Sequence, residues 1–200
     1  TGPAWGRFLF GLVRGLRPKR VLELGTNLGV GAAHLSAALA LNEQERGPAG
    51  DLVTLEGAPA LAARAAGALA RLGHRVGDED GCRVRVVVGP FTETLEAAVD
   101  PARPFDLVFI DGHHEAEAAL AYLDVIRPAL SDGAVVILDD VEPGRSVRQA
   151  WLQLRETNPR APAVYLVKYG LLVYRGANGL EGAAPARARV RASVDSDGLP

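Results

Sequence analysis

The 200 residues are 48% hydrophobic, with a formal net charge of −2 and a single cysteine, Cys82. That is enough apolar material for one full core and one expected domain, while the near-neutral balance offers no broad attraction to a phosphate backbone, so no nucleic acid partner is expected. One cysteine excludes an intrachain disulfide and a thiolate zinc cluster, in keeping with a reducing cytoplasm, and no apolar stretch reaches the roughly 20 residues of a membrane span.

The first element is an amphipathic helix over 5–16, where Phe8, Leu9, Leu12, Val13 and Leu16 recur at helical spacing. Arg7 and Arg14 interrupt it and no small-residue cleavage site follows, so it reads as a cover for a sheet or a partner chain, with a homodimer contact in view, rather than as a signal peptide. Strands are expected at 20–24, 51–55, 83–88, 105–110 and 133–138. Helices are expected between them at 30–41, 58–72, 91–99 and 115–129, with another at 145–156. This alternation is the signature of a parallel α/β sheet, doubly wound and Rossmann-like, with helices on both faces. Asn42 to Gly50 and Gly73 to Gly81 read as polar surface loops. Ala163–Val167 and Leu171–Arg175 are separated only by Lys168-Tyr169-Gly170, too short for a crossover helix, and so form an antiparallel hairpin. The domain is expected to span 1–176; from Ala177 onward the core pattern ceases and partial disorder is expected.

Three of the apolar runs end in residues that carry chemistry. Arg20 to Leu24, with Glu23 inside it, leads into Gly25-Thr26-Asn27-Leu28-Gly29-Val30-Gly31. Glycines there let the backbone turn sharply, and the helix that follows presents unpaired N–H groups to an anion. The spacing is glycine, three residues, glycine, one residue, glycine, which is not the G-x-G-x-x-G of dinucleotide binders. Phe105 to Ile110 ends in Asp111, and Ala134 to Leu138 ends in Asp139-Asp140. In open α/β sheets, ligands bind beyond the carboxyl ends of the strands. If the fourth and fifth strands are neighbours, about 5 Å apart, Asp111 and Asp139 can converge on one hard cation. Glu56, at the end of the second strand, is placed to accept hydrogen bonds from ribose hydroxyls, or else to start the next helix. Gly89 and Phe91 follow the third strand, where an aromatic face would suit an adenine, although Phe91 is equally suited to the core.

Val21 to Gly31, Glu56, Phe109 to His114, and Leu130 to Asp140 together resemble the class I S-adenosylmethionine-dependent methyltransferases, in particular the small bacterial O-methyltransferases related to catechol and macrolide-sugar O-methyltransferases. The resemblance covers residues 5–175 and implies a seven-stranded sheet closed by the hairpin. It further implies that Glu23, Gly25 and Gly29 hold the methionine part of S-adenosylmethionine and Glu56 its ribose; Thr26, Gly89, Phe91 and Asp111 are the remaining cofactor-site candidates. Asp111, Asp139 and Asp140 would match the ligands of a divalent metal, magnesium first, with manganese or calcium also suited to oxygen ligands. Relatives with catechol substrates often carry asparagine where this chain has Asp140. Many also have a longer segment before the first strand, so an open substrate side or a trimmed chain is expected.

The implied reaction is in-line transfer of a methyl group to the hydroxyl of a small catechol-, diol- or sugar-like molecule, with a metal lowering the hydroxyl pKa. His114, ahead of His113, is the expected proton acceptor, with Asp111 beside it. Lys168 and Tyr169 at the hairpin tip are candidates to touch substrate, and Trp151 is expected in the core. Two other readings stand beside this one: the same fold without a metal, and a nicotinamide oxidoreductase or a non-catalytic nucleotide-binding module, of which the glycine spacing argues against the oxidoreductase alone.

Overall fold

The computed structural model describes residues 2–45, 47, 49–77 and 83–175. Cys82 and the tail expected to be disordered lie outside the described residues. Helix α1 (Pro3–Leu16) is followed by β1 (Arg20–Leu24), α2 (Val30–Gln44), β2 (Asp51–Glu56), α3 (Pro59–Arg71), β3 (Val84–Val88) and α4 (Phe91–Ala98). Then come β4 (Phe105–Ile110), α5 (Ala116–Ile126), β5 (Leu130–Leu138), α6 (Val147–Thr157), β6 (Ala163–Leu166) and β7 (Tyr169–Val173). The seven strands form one sheet in the order β3-β2-β1-β4-β5-β7-β6. All neighbours pair in parallel except β7, which runs antiparallel to both β5 and β6. The doubly wound sheet closed by a hairpin is therefore as the sequence implies.

The central strands β1 and β4 are apolar on both faces because both faces are covered. Along β4, Leu107 and Phe109 face the core built with α1, α2 and α3, while Val108 and Ile110 face the core built with α4, α5 and α6. β5 alternates likewise, Val135 and Ile137 against Val136 and Leu138. In α1, Leu9 and Val13 are completely buried, and Trp5, Phe8 and Leu12 pack around them. Most of the stripe that suggested a homodimer contact is thus covered by the chain's own sheet and α2.

Three boundaries differ from the sequence reading for identifiable reasons. α2 continues through the expected loop to Gln44 because Asn42 is buried and donates to the Val13 carbonyl at 2.9 Å, satisfying a carbonyl at the end of α1. α5 stops at Ile126 and tightens into a 3₁₀ turn over Arg127–Ala129, since Pro128 brings no N–H to continue the ladder. The hairpin turns on two residues, Val167 and Lys168, with Val167 in the left-handed region at φ 57°. Tyr169 and Gly170 consequently belong to β7. Tyr169 is fully buried beside Trp5, Phe8 and Phe109, which removes it from the substrate candidates. Trp151 is in the core as expected, its ring lying where a side chain at Gly170 would be.

Candidate active site

The chain leaves β1 toward β2 and β3 on one side and returns to β4 on the other, so the β1–β4 boundary is the switch point where an open α/β sheet leaves a crevice. Backbone bonds step across the strand ends there. Asp111 N–H donates to the Leu24 carbonyl at 2.9 Å, Asp139 N–H to Ile110 at 3.0 Å, and Val141 N–H to Lys168 at 3.0 Å. Three strand exits and the hairpin tip are thereby locked side by side.

The turn after β1 is equally constrained. Gly25 has φ +103°, and a Cβ at that position would run into the carbonyl oxygen of Asp111; only glycine allows the β1 exit to lie this close to β4. The Gly25 and Thr26 N–H groups both donate to Leu55, at 3.0 and 3.1 Å, and Gly29 N–H donates to Thr26 at 2.8 Å. Gly29 caps α2 at φ +82° and packs on Ala65 of α3. Glu56 fastens the turn from the β2 side: its Oε2 accepts the Asn27 N–H at 2.7 Å and its Oε1 accepts the Ala58 N–H at 2.9 Å. The carboxylate thus serves the entry to α3, one of its two expected uses. Each oxygen keeps a further lone pair for a ligand hydroxyl.

A cavity of about 350 Å³ opens at these exits. Of the residues singled out by sequence, Glu23, Gly25, Thr26, Asp111, His114, Asp139, Asp140 and Lys168 line it. Gly29, Glu56, Gly89 and Phe91 do not. Gly89 N–H donates to the Glu56 carbonyl at 2.9 Å, and Phe91 packs edge-on to Tyr122 and against Gly112, so these residues stand at the neighbouring strand ends.

The two histidines part company. His113 shares a 2.6 Å hydrogen bond with the Tyr122 hydroxyl through Nδ1, whereas His114 brings Nδ1 to 3.3 Å from Asp140 Oδ2 and lines the cavity.

Beneath the cavity lies a buried polar chain that sequence reading did not include. Thr54, in register with Glu23 across the β1–β2 pair, donates to Glu23 Oε2 at 2.6 Å and meets the Thr26 hydroxyl at 2.5 Å. Burial pushes the Glu23 carboxyl up to about 8 despite the Thr54 hydrogen bond. Asp111 is raised as well, first by burial, then by its hydrogen bond to Asp139 and by the charges of Asp139 and Glu23. Both acids are therefore inclined to keep a proton at neutral pH.

Asp139 and Asp140 have a different partner. Lys168 Nζ lies 2.5 Å from Asp139 Oδ1 and 2.9 Å from Asp140 Oδ1. Burial acts to raise Asp140, but Lys168, His114 and Arg145 outweigh it and hold the carboxyl below its ordinary value. Burial likewise acts to lower Lys168, and the two carboxylates reverse that, leaving the ammonium above its ordinary value. The expected metal ligands are thus brought to one place, yet in this arrangement they do not fit a divalent ion, because an ammonium already holds an oxygen of each of two carboxylates. Among the described residues no group of three or more His, Cys, Asp or Glu side chains forms a cation cage. No helix among them is long and apolar enough to cross a membrane.

Comparison with known proteins agrees with this geometry. A methyltransferase domain family matches residues 22–141, from β1 through the Asp139-Asp140 pair. A catechol O-methyltransferase of Mycobacterium tuberculosis is 37% identical over 142 residues, covering 71% of this chain; the chain spans 57% of that relative's length. The cofactor-bound crystal structure of Rv0187 from MTB superposes with a TM-score of 0.69 at 30% identity, over 88% of this chain and 81% of the other. The O-methyltransferase TomG from Streptomyces achromogenes, involved in tomaymycin synthesis and solved with SAM, gives 0.69 at 25% identity, over 88% and 82%. The domain match over more than half of the chain, together with these superpositions, shows that the chain belongs to the methyltransferase domain family, in the class I Rossmann-like fold of its O-methyltransferase relatives.

Proposed function

We propose that the chain is an S-adenosylmethionine-dependent O-methyltransferase acting on a small hydroxylated molecule, catechol-, diol- or sugar-like, in a reducing cytoplasm. The observation that carries this reading is the meeting, in one cavity, of the glycine turn with the Asp140–His114 pair. The relatives solved with cofactor support it.

The donor set suits the cofactor. Glu23, Gly25, Thr26, Gly29 and Asp111 would hold its amino-acid part, with the start of α2 favouring a carboxylate. Glu56, Gly89 and Phe91 would hold the nucleoside. When bound, S-adenosylmethionine supplies a sulfonium methyl group whose transfer to oxygen leaves the C–S electron pair on a neutral thioether. His114 takes the hydroxyl proton as the new O–C bond forms, and Asp140 fixes the imidazole and stabilises its charge. The buried Thr26–Thr54–Glu23 chain and the Gly25–Asp111 contact keep the two halves of the site rigid.

Calorimetric titration with S-adenosylhomocysteine, followed by labelled methyl transfer to a panel of catechols, diols and sugars, tests the reading. One bound equivalent and a product in which one methyl has replaced a hydroxyl hydrogen are expected. No nucleoside binding would reduce the glycine turn and Glu56 to architecture. Metal assistance is the second reading, favoured by the all-oxygen set Asp111, Asp139 and Asp140 on adjacent strand ends. It requires Lys168 to leave two carboxylates, and turnover lost on chelation and restored by magnesium marks it.

A further inference from the structure

The Lys168 ion pair is not a surface ornament. Its side chain is 20% exposed and that of Asp139 2%. Exposed pairs contribute little, but breaking a pair this enclosed strands a buried charge. The backbone aims the lysine: the two-residue turn places it at the sheet edge, and its carbonyl accepts the Val141 N–H just beyond Asp140. Asp139 Oδ1 also accepts the Asp140 N–H at 2.6 Å, so with Lys168 its lone pairs are both committed. That oxygen cannot turn to a divalent ion without giving up the lysine.

We infer that Lys168 is the resident cation of this site, its ammonium standing at Asp139 and Asp140 where a divalent ion would stand in metal-assisted methyl transfer, so that this chain transfers methyl groups without a metal. The inference rests on the methyl-transfer reading above. An ammonium has three N–H groups. Two serve Asp139 and Asp140, and the third is available to a hydroxyl oxygen in the cavity that Lys168 lines. A single positive charge acidifies that hydroxyl less than a double one. Proton removal therefore falls to His114, which the same Asp140 carboxylate holds through its other oxygen.

The test uses manganese alone as the probe, titrated into the full chain and followed by electron paramagnetic resonance. Wild type is compared with Lys168→Met and with Lys168→Met/Asp139→Asn, and calorimetric S-adenosylhomocysteine binding checks each fold. Lys168→Met is expected to take up one manganese ion at least ~10-fold more tightly than wild type, since the competing charge is gone. The double variant should lose that gain, and wild-type turnover should be unchanged by a chelator. Tight stoichiometric manganese binding by wild type, or no gain in Lys168→Met, overturns the inference. Should Lys168→Met fail to fold, the wild-type titration and chelation decide alone: tight binding or lost turnover overturns the inference, and their joint absence supports it. If no methyl transfer is found with any acceptor, the functional reading fails while the manganese titration still decides the role of Lys168.

Discussion

Asp140 and His114 form an oriented pair, Oδ2 to Nδ1 at 3.3 Å, in which the carboxylate's other oxygen is anchored by Lys168. Asp140 sits at φ 56° and His114 at φ 32°, so both loops hold left-handed backbone to make the contact. His114→Ala is expected to lower the turnover number by ~10²-fold or more, the usual worth of a positioned base, with S-adenosylhomocysteine affinity unchanged. His113→Ala should leave turnover close to wild type because its ring is engaged with Tyr122. Single-turnover methyl transfer and calorimetry separate the two effects, and equal losses from both histidines would remove His114 from the role.

Glu23 gives the ligand-free protein a distinctive pH dependence. Its folded pKa of about 8 lies above the ordinary 4.5, so between those values the folded chain keeps a proton that the unfolded chain has released. The stabilisation is complete below the ordinary value and is lost as pH rises through the folded one. Asp111, also raised, acts with the same sign. Urea unfolding across this interval should show stability falling with pH in wild type and a shallower fall in Glu23→Gln. Parallel profiles for the two proteins would mean that Glu23 ionises in place without penalty.

How far the sequence could be read depended on whether a feature was local. The strands and the hairpin were legible because apolar runs and their lengths decide them, and the placing of Asp111, Asp139 and His114 around one cavity was legible because they follow strand exits, where open α/β sheets leave a crevice. Thr54 was missed although a signal existed: in a parallel pair with matching starts at Arg20 and Asp51, the one polar residue inside Leu52-Val53-Thr54-Leu55 falls opposite Glu23. The Tyr169 assignment failed because a two-residue turn with Val167 at positive φ is not announced by Gly or Asn. That Lys168 reaches Asp140 across 28 residues of chain, and Asp139 beside it, depends on β7 lying beside β5, which spacing alone does not fix.

Thr54 also yields a direct stability test. Its hydroxyl donates to Glu23 and meets Thr26, all three residues being buried. Thr54→Val keeps the shape and removes the hydroxyl, leaving a buried carboxyl and hydroxyl short of a partner. A loss of about 1–3 kcal/mol is expected, the desolvation cost of an unsatisfied group. Thr54→Ser should recover most of it. Chemical denaturation of both variants measures this, and an unchanged Thr54→Val midpoint would show that Glu23 and Thr26 satisfy each other unaided.

Glu56 can act by pinning the glycine turn, by binding a ribose, or by both, and affinity alone does not separate these. Its two oxygens accept backbone N–H groups from Asn27 and Ala58, so Glu56→Ala frees the turn whatever the ligand. Losing hydrogen bonds to a charged group, about 1.5–3 kcal/mol, corresponds to a roughly 10- to 150-fold weaker Kd for S-adenosylhomocysteine. The decisive comparison is with an analogue lacking the ribose hydroxyls. A carboxylate that contacts those hydroxyls makes wild type prefer S-adenosylhomocysteine over the analogue, and Glu56→Ala should erase the preference. A carboxylate that only pins the turn leaves the ratio intact while both affinities fall together. Because each oxygen retains a lone pair after its backbone bond, the expected outcome is loss of both affinity and preference. A preserved ratio would confine Glu56 to the architecture of the turn.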